Sequence, residues 1–235
     1  MAEKKKLLEV DLYKPIQNLL KKQGYEVLGE VKNCDIAAVK EDSLIIVELK
    51  LSLNIDLLLQ ATKRQKLTDE VYVAIPRPKN FRSKRWNEIC QLIKRLELGL
   101  IVVSFTTSRK RAEVVLEPTA FSGKVRKNNR KREAILKEVN GRSGDYNLGG
   151  SNKTKIMTAY KENCIHIASL LEKHGPLSPK KLKELGTGEK TPSILTKNYY
   201  GWFDRVKRGT YVINEKGIQD LKEQKELVEY YVNGS

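Results

Sequence analysis

Two neighbouring runs, Cys34-Asp35-Ile36-Ala37-Ala38-Val39 and Ile45-Ile46-Val47-Glu48-Leu49-Lys50, carry residue types from which phosphodiester chemistry can be built. An acidic residue opens the first apolar run, and Glu-x-Lys closes the second after a short turn. Side chains alternate along a strand, so Glu48 and Lys50 emerge on one face. If the runs pair as a hairpin, Asp35 joins them near the same end. Charges placed directly after Leu44-Ile45-Ile46-Val47 in an interior strand are costly without compensation. A divalent cation would compensate them, with Asp35 and Glu48 as hard oxygen ligands, the Leu49 carbonyl as a third, and water completing the shell. Such an ion polarises a phosphoryl oxygen and lowers the pKa of its bound water. Lys50 would orient or activate that water and stabilise charge developing on phosphorus. A simpler role for the same residues is a buried salt bridge between Lys50 and one carboxylate.

Composition narrows the choice of metal and partner. Cys34, Cys90 and Cys164 are odd in number and far apart, without a CxxC pair, which argues against a disulfide framework or a zinc site. The two histidines, His166 and His174, read as packing and surface residues. Carboxylates must therefore hold any metal, and the expectation is Mg²⁺, with Mn²⁺ able to substitute. The formal net charge is +16, which favours a polyanionic partner, nucleic acid above a membrane surface. The chain is 40% hydrophobic and 31% charged, as in a globular protein. No run approaches the roughly 20 apolar residues of a membrane span. The basic start, Met1 to Lys6, leads into an amphipathic run with acidic residues rather than an apolar core, so a cytoplasmic protein is expected.

The elements that must position these residues follow from periodicity. Leu8, Leu12, Ile16, Leu19 and Leu20 recur at helical spacing up to Gly24, with Pro15 as a kink or a later start. Strands are expected at Tyr25–Val31, Asp35–Val39 and Leu44–Leu51, then a helix from Ile55 to Leu67 capped by Ser52 or Asn54. A strand at Val71–Ile75, a helix marked by Trp86, Ile89, Ile93 and Leu96, and strands at Leu100–Phe105 and Ala112–Leu116 complete residues 1–118. The order α-β-β-β-α-β-α-β-β describes a mixed α/β sheet.

Residues 119–155 hold ten basic and three acidic residues, and end in a glycine-punctuated stretch through Gly149-Gly150-Ser151. They read either as a solvated linker or as a basic strap on backbone phosphates, with Arg130, Lys131 and Arg132 foremost. Residues 156–235 return to amphipathic patterning. A helix around Cys164–Leu171 ends near Gly175, a second starts at Ser178-Pro179, and a third near Thr191-Pro192. Strands at Trp202–Val206 and Thr210–Ile213 flank a tight Lys207-Arg208-Gly209 turn, and a last helix runs from Ile218 through Leu227 and Tyr230. Three helices followed by a basic-tipped hairpin form the winged-helix pattern. Its third helix would offer Lys197 and Asn198 to DNA, and its wing Arg205, Lys207 and Arg208, the alternative being a protein–protein role. The surplus of charge over residues 156–235 is only +3, so basicity is local to the wing.

Asp35, twelve intervening residues and Glu48-Leu49-Lys50 resemble the PD-(D/E)XK nuclease signature, with Cys34 in place of its proline. The similarity continues through Glu9-Val10-Asp11-Leu12-Tyr13, Gly24-Tyr25-Glu26-Val27, Leu57-Leu58-Leu59-Gln60, Asp69 to Pro76, Leu148 to Ser151 and Met157 to Tyr160. Together these resemble a bacterial family of PD-(D/E)XK phosphodiesterases. The resemblance implies a restriction-endonuclease-like αβββαβ core followed by the winged helix, and a metal-dependent hydrolase acting on DNA. It further implies that Glu9 from the first helix and Gln60 from the helix after Lys50 join the site. Lys63 and Arg64 share the side of that helix with Gln60 and would either meet phosphates or form a solvated face. The rival expectations are a DNA-binding regulator on an inactive nuclease fold and an RNA-processing nuclease. Double-strand cleavage by a single site would call for a homodimer.

Overall fold

A computed structural model describes residues 7–106, 110–120, 127–147, 156–224 and 228. The expected Gly149-Gly150-Ser151 segment, Lys124, Arg126, Lys153, Lys155, Leu227 and Tyr230 lie outside the described residues. The chain divides into two compact units, Met1–Ile156 and Met157–Ser235.

The first unit is a three-layer α/β/α arrangement around one six-stranded sheet. Its elements are α1 (Val10–Lys22), β1 (Glu26–Val31), β2 (Cys34–Lys40), β3 (Ser43–Leu49), α2 (Ile55–Arg64), β4 (Val71–Pro76), α3 (Lys84–Arg95), β5 (Gly99–Phe105), β6 (Lys110–Leu116) and α4 (Asn129–Val139). The strands lie side by side in chain order, antiparallel except for the parallel pairs β3–β4 and β4–β5. The parallel pairs arise where a helix carries the chain back to the same end, as crossover connections require.

Alternation along the strands separates two apolar faces. Leu12, Tyr13, Ile16 and Leu20 of α1 pack on Ile36, Ala38, Ile45, Val47 and Leu49 on one side. On the other side, Ile135 and Val139 of α4 cover Ala37, Val39, Leu44 and Ile46, while Leu57, Ala61, Trp86 and Ile93 of α2 and α3 cover Val71, Val73 and Val102. Leu8 does not belong to the first helix and is exposed, and Pro15 sits buried inside α1, which runs through it.

Along its described length the basic middle segment is not a free linker, since Asn129–Val139 form α4. Ile135, Glu138 and Val139 turn inward, and the chain after α4 is tied back to the sheet. Buried Arg142 donates to the carbonyls of Gly29 at 2.9 Å and Glu30 at 3.0 Å and pairs with Glu138 at 3.2 Å. Asp145 accepts from Tyr13 Oη at 2.7 Å and from the Gly29 N–H at 3.1 Å.

The second unit holds α5 (Ala159–His174), α6 (Pro179–Glu184), α7 (Thr191–Lys197), β7 (Phe203–Lys207), β8 (Thr210–Ile213) and α8 (Glu215–Lys222). Thr158, Ser178 and Asn214 cap α5, α6 and α8 with side-chain acceptors. β7 and β8 pair antiparallel, and Leu177, between α5 and α6, bridges to Tyr211 of β8. Gly209 takes the positive φ of 72° at the hairpin tip. The core is α5 packed on Leu182, Ile194, Leu195, Trp202 and Phe203. No described helix is long and apolar enough to cross a membrane.

Candidate active site

The β2–β3 hairpin brings two carboxylates together. Lys40 pairs with Ser43 across the two-residue turn Glu41-Asp42, and the register runs on to Ile36 opposite Val47. One more step in that register sets Asp35 opposite Glu48, and residues directly opposite on antiparallel strands share a face. That face is the one carrying Ala37, Val39, Leu44 and Ile46. A twelve-residue interval closed by a two-residue turn therefore places both acids side by side at one end of the hairpin.

Glu48 is 2% exposed and Asp35 is partly buried. Asp35 Oδ2 accepts the Leu49 N–H at 2.8 Å, so a side chain satisfies a backbone donor at the strand end. Burial, reinforced by the neighbouring Asp35 carboxylate, pushes Glu48 up to about 7 despite the opposing pull of Arg64. Burial also raises Asp35, with the Leu49 N–H and the Lys50 charge acting against it.

Lys50 follows directly on β3. Its N–H extends the ladder to Ala74 O at 3.1 Å, and its ammonium lies 3.2 Å from Glu9 Oε1 at the start of α1. Glu9 is thus joined to the site through Lys50. The simple salt bridge between Lys50 and Asp35 or Glu48 is replaced by this Lys50–Glu9 pair.

Arg64 departs most from its expected role. It does not stand out toward phosphates: its Nε donates to Glu48 Oε1 at 2.6 Å, and a second guanidinium N–H donates to the Asn33 carbonyl. Leu57, Ala61 and Arg64 lie four and three residues apart, so Arg64 continues the inward stripe of α2. That spacing was the available signal; the positive charge concealed it. Gln60 and Lys63 on the same helix are exposed, and among the described residues neither is hydrogen-bonded to the carboxylate pair.

Among the described residues, no group of three or more His, Cys, Asp or Glu side chains could hold a metal ion. The donor chemistry nevertheless fits Mg²⁺, which is usually bound by one or two carboxylates with water and substrate oxygens in the remaining positions. Two adjacent carboxylates, Glu48 buried and Asp35 partly buried, whose ionisation burial disfavours, are also groups whose charge a divalent cation would relieve.

Other expected contacts divide by exposure. Arg130 and Lys131 are exposed in the first turn of α4, while Arg132 donates to the Asp42 carbonyl at 2.5 Å. Lys197, Arg205, Lys207 and Arg208 are exposed. Asn198 is not a free base-reading residue. It ends α7 in the left-handed conformation, and its side chain accepts from the N–H groups of Trp202 and Phe203 and donates to the Phe203 carbonyl. His166 is buried, with its pKa lowered by burial, and His174 is exposed.

Residues 101–220, about half of the chain, match the family described as "Putative PD-(D/E)XK phosphodiesterase (DUF2161)". The chain belongs to this DUF2161 family. The matched stretch runs from β5 through α8, so Asp35, Glu48 and Lys50 lie ahead of it. No curated protein and no solved structure matches the chain. The mixed α/β core and the smaller helical unit with its two-stranded sheet are consistent with the architecture such a family implies.

Proposed function

We propose that the protein is a Mg²⁺-dependent phosphodiesterase acting on DNA. The observation that carries this reading is the pair Asp35 and Glu48, set opposite each other in a buried strand end with Lys50 next in the chain. In this reading Asp35 and Glu48 hold the ion, with the Leu49 carbonyl as a further ligand. Bound Mg²⁺, or Mn²⁺ in its place, supplies Lewis-acid polarisation of the phosphoryl oxygen and an acidified water. Lys50, held by Glu9, would orient an attacking water and stabilise charge on phosphorus. Arg64 would fix the orientation of Glu48 through Oε1.

The division of labour follows the chain. Residues 1–118 carry the chemistry, 119–155 add a basic surface at Arg130 and Lys131, and 156–235 act as a winged helix that holds DNA through Lys197, Arg205, Lys207 and Arg208. The order of three helices, a hairpin and the Leu177–Tyr211 bridge supports the winged-helix reading. Cleavage of both strands of a duplex by one such site calls for two copies acting together.

A second reading has its own observation in favour. Arg64 already supplies a positive charge to Glu48 at 2.6 Å, as a protein would that had replaced its metal with an internal cation and kept only DNA binding.

Cleavage assays on linear, nicked, branched and single-stranded DNA and on RNA, with Mg²⁺, Mn²⁺ or EDTA, separate the two. Metal-dependent cutting that Asp35→Ala and Lys50→Ala abolish, with DNA binding retained, is the expected result. Salt-sensitive binding without cutting of any substrate selects the regulator.

A further inference from the structure

The turn after α7 presents Tyr199 to solvent with 70% of its surface exposed. A lone exposed apolar side chain needs no explanation, but Tyr199 is held in an unusual way. Asn198 before it takes φ 44° and binds the start of β7 through three hydrogen bonds of 2.7 to 3.2 Å. The Tyr199 ring centroid lies 5.3 Å from that of Tyr160, which is 6.0 Å from Tyr200, itself stacked at 5.0 Å on buried Trp202. Tyr199 is thus the outer end of an aromatic series rooted in the core. Lys197 Nζ sits 6.0 Å from its ring centroid.

A fixed, exposed ring beside a cation offers what an unpaired nucleotide requires: a π-face for the base and a positive charge for its phosphate. Inside continuous duplex DNA both faces of each base are already stacked, so such a ring finds an unpaired base only at an overhang, gap or branch. The exposed Arg205, Lys207 and Arg208 would meet phosphates of any duplex.

We propose that Tyr199 and Lys197 form a stacking site for an unpaired nucleobase, which directs the protein to DNA carrying a single-stranded overhang or branch. This rests on the reading of the protein as DNA-binding, and it names the substrate class within that reading.

The test is fluorescence anisotropy of the full chain in EDTA, using a blunt duplex and the same duplex with a short overhang bearing 2-aminopurine. Tighter overhang binding by roughly tenfold, the scale of one base–aromatic stack, with quenching of 2-aminopurine, is expected. Tyr199→Ala should remove both effects and leave blunt-duplex affinity unchanged, while Tyr199→Phe should keep both. Equal affinity for blunt and overhang DNA, or a preference that survives Tyr199→Ala, overturns the stacking site without touching the phosphodiesterase reading. Absence of binding to every DNA overturns the underlying reading itself. A preference confined to a ribonucleotide overhang overturns the assignment to DNA.

Discussion

Arg64 Nε donates to Glu48 Oε1 at 2.6 Å, and the carboxylate that receives it is 2% exposed. A helix residue thereby supplies positive charge to a strand carboxylate that burial and a neighbouring acid both penalise. Removing one partner of a buried ion pair leaves the other uncompensated, which costs more than the pair itself contributes. Arg64→Ala should therefore destabilise the metal-free protein by about 3 kcal/mol at pH 8. The loss should shrink at pH 5, where Glu48 takes up a proton instead. Urea unfolding at the two pH values measures this, and a loss that is equal at both would contradict the assigned partnership.

The raised pKa of Glu48 has its own consequence for stability. Its ordinary value is 4.5 and its folded value about 7, so between them the native state binds more protons than the unfolded state. Stability then falls as pH rises through this window: the native advantage is complete below pH 4.5 and lost above pH 7. At about 1.4 kcal/mol per pH unit, the gap is worth roughly 3 kcal/mol. The raised pKa of Asp35 acts in the same direction. Unfolding midpoints in EDTA from pH 4 to 8 should decline for wild type and flatten for Glu48→Gln. If Mg²⁺ binds here, adding it should restore stability mainly at the alkaline end, because metal and proton compete for the same carboxylates. A rise in stability from pH 5 to 7 in EDTA would refute the assigned environment.

The acidic pair and the sheet that carries it were legible in the chain because apolar runs of strand length flank a short turn. Once that turn is known to hold two residues, strand register alone sets Asp35 opposite Glu48. Arg64 is harder to read, because an arginine on a helix is by default solvated and its inward spacing after Leu57 and Ala61 counts for less than its charge. The helix α4 is hard to read in the chain for a related reason. Basic residues dominate residues 119–155, and the apolar spacing of Ile135, Leu136 and Val139 is short. Asn198 showed only a polar residue at the end of a helix, which suits base reading and capping equally. Its positive φ, invisible in sequence, decides for capping.

Arg142 ties the segment after α4 to the sheet. Its guanidinium is buried and donates to two carbonyls at the end of β1, and it pairs with Glu138. Truncation would strand those acceptors and remove one cation from the Glu138 carboxylate, leaving it Lys32 at 3.8 Å. Arg142→Ala should cost about 3 kcal/mol, whereas Lys137→Ala on the exposed side of α4 should stay within about 0.5 kcal/mol. Chemical denaturation of both variants checks this. Similar small losses for the two would mean that Ile135, Val139 and the Asp145 contacts hold the segment without Arg142.

The hairpin cations carry the last prediction. Arg205, Lys207 and Arg208 are exposed around the β7–β8 turn, within a unit whose other charges nearly cancel. If they meet DNA phosphates, each contact releases condensed counterions, and affinity falls with salt at a slope of about −0.9 per contact. Replacing all three with alanine should lower affinity uniformly across sequences and make the log–log salt dependence shallower by about 3. Anisotropy titrations between about 50 and 200 mM salt give the slope directly. Affinity lost with an unchanged slope would mean that these residues act through the fold of the hairpin. An unchanged affinity would move the phosphate contacts to the exposed Arg130 and Lys131 of α4.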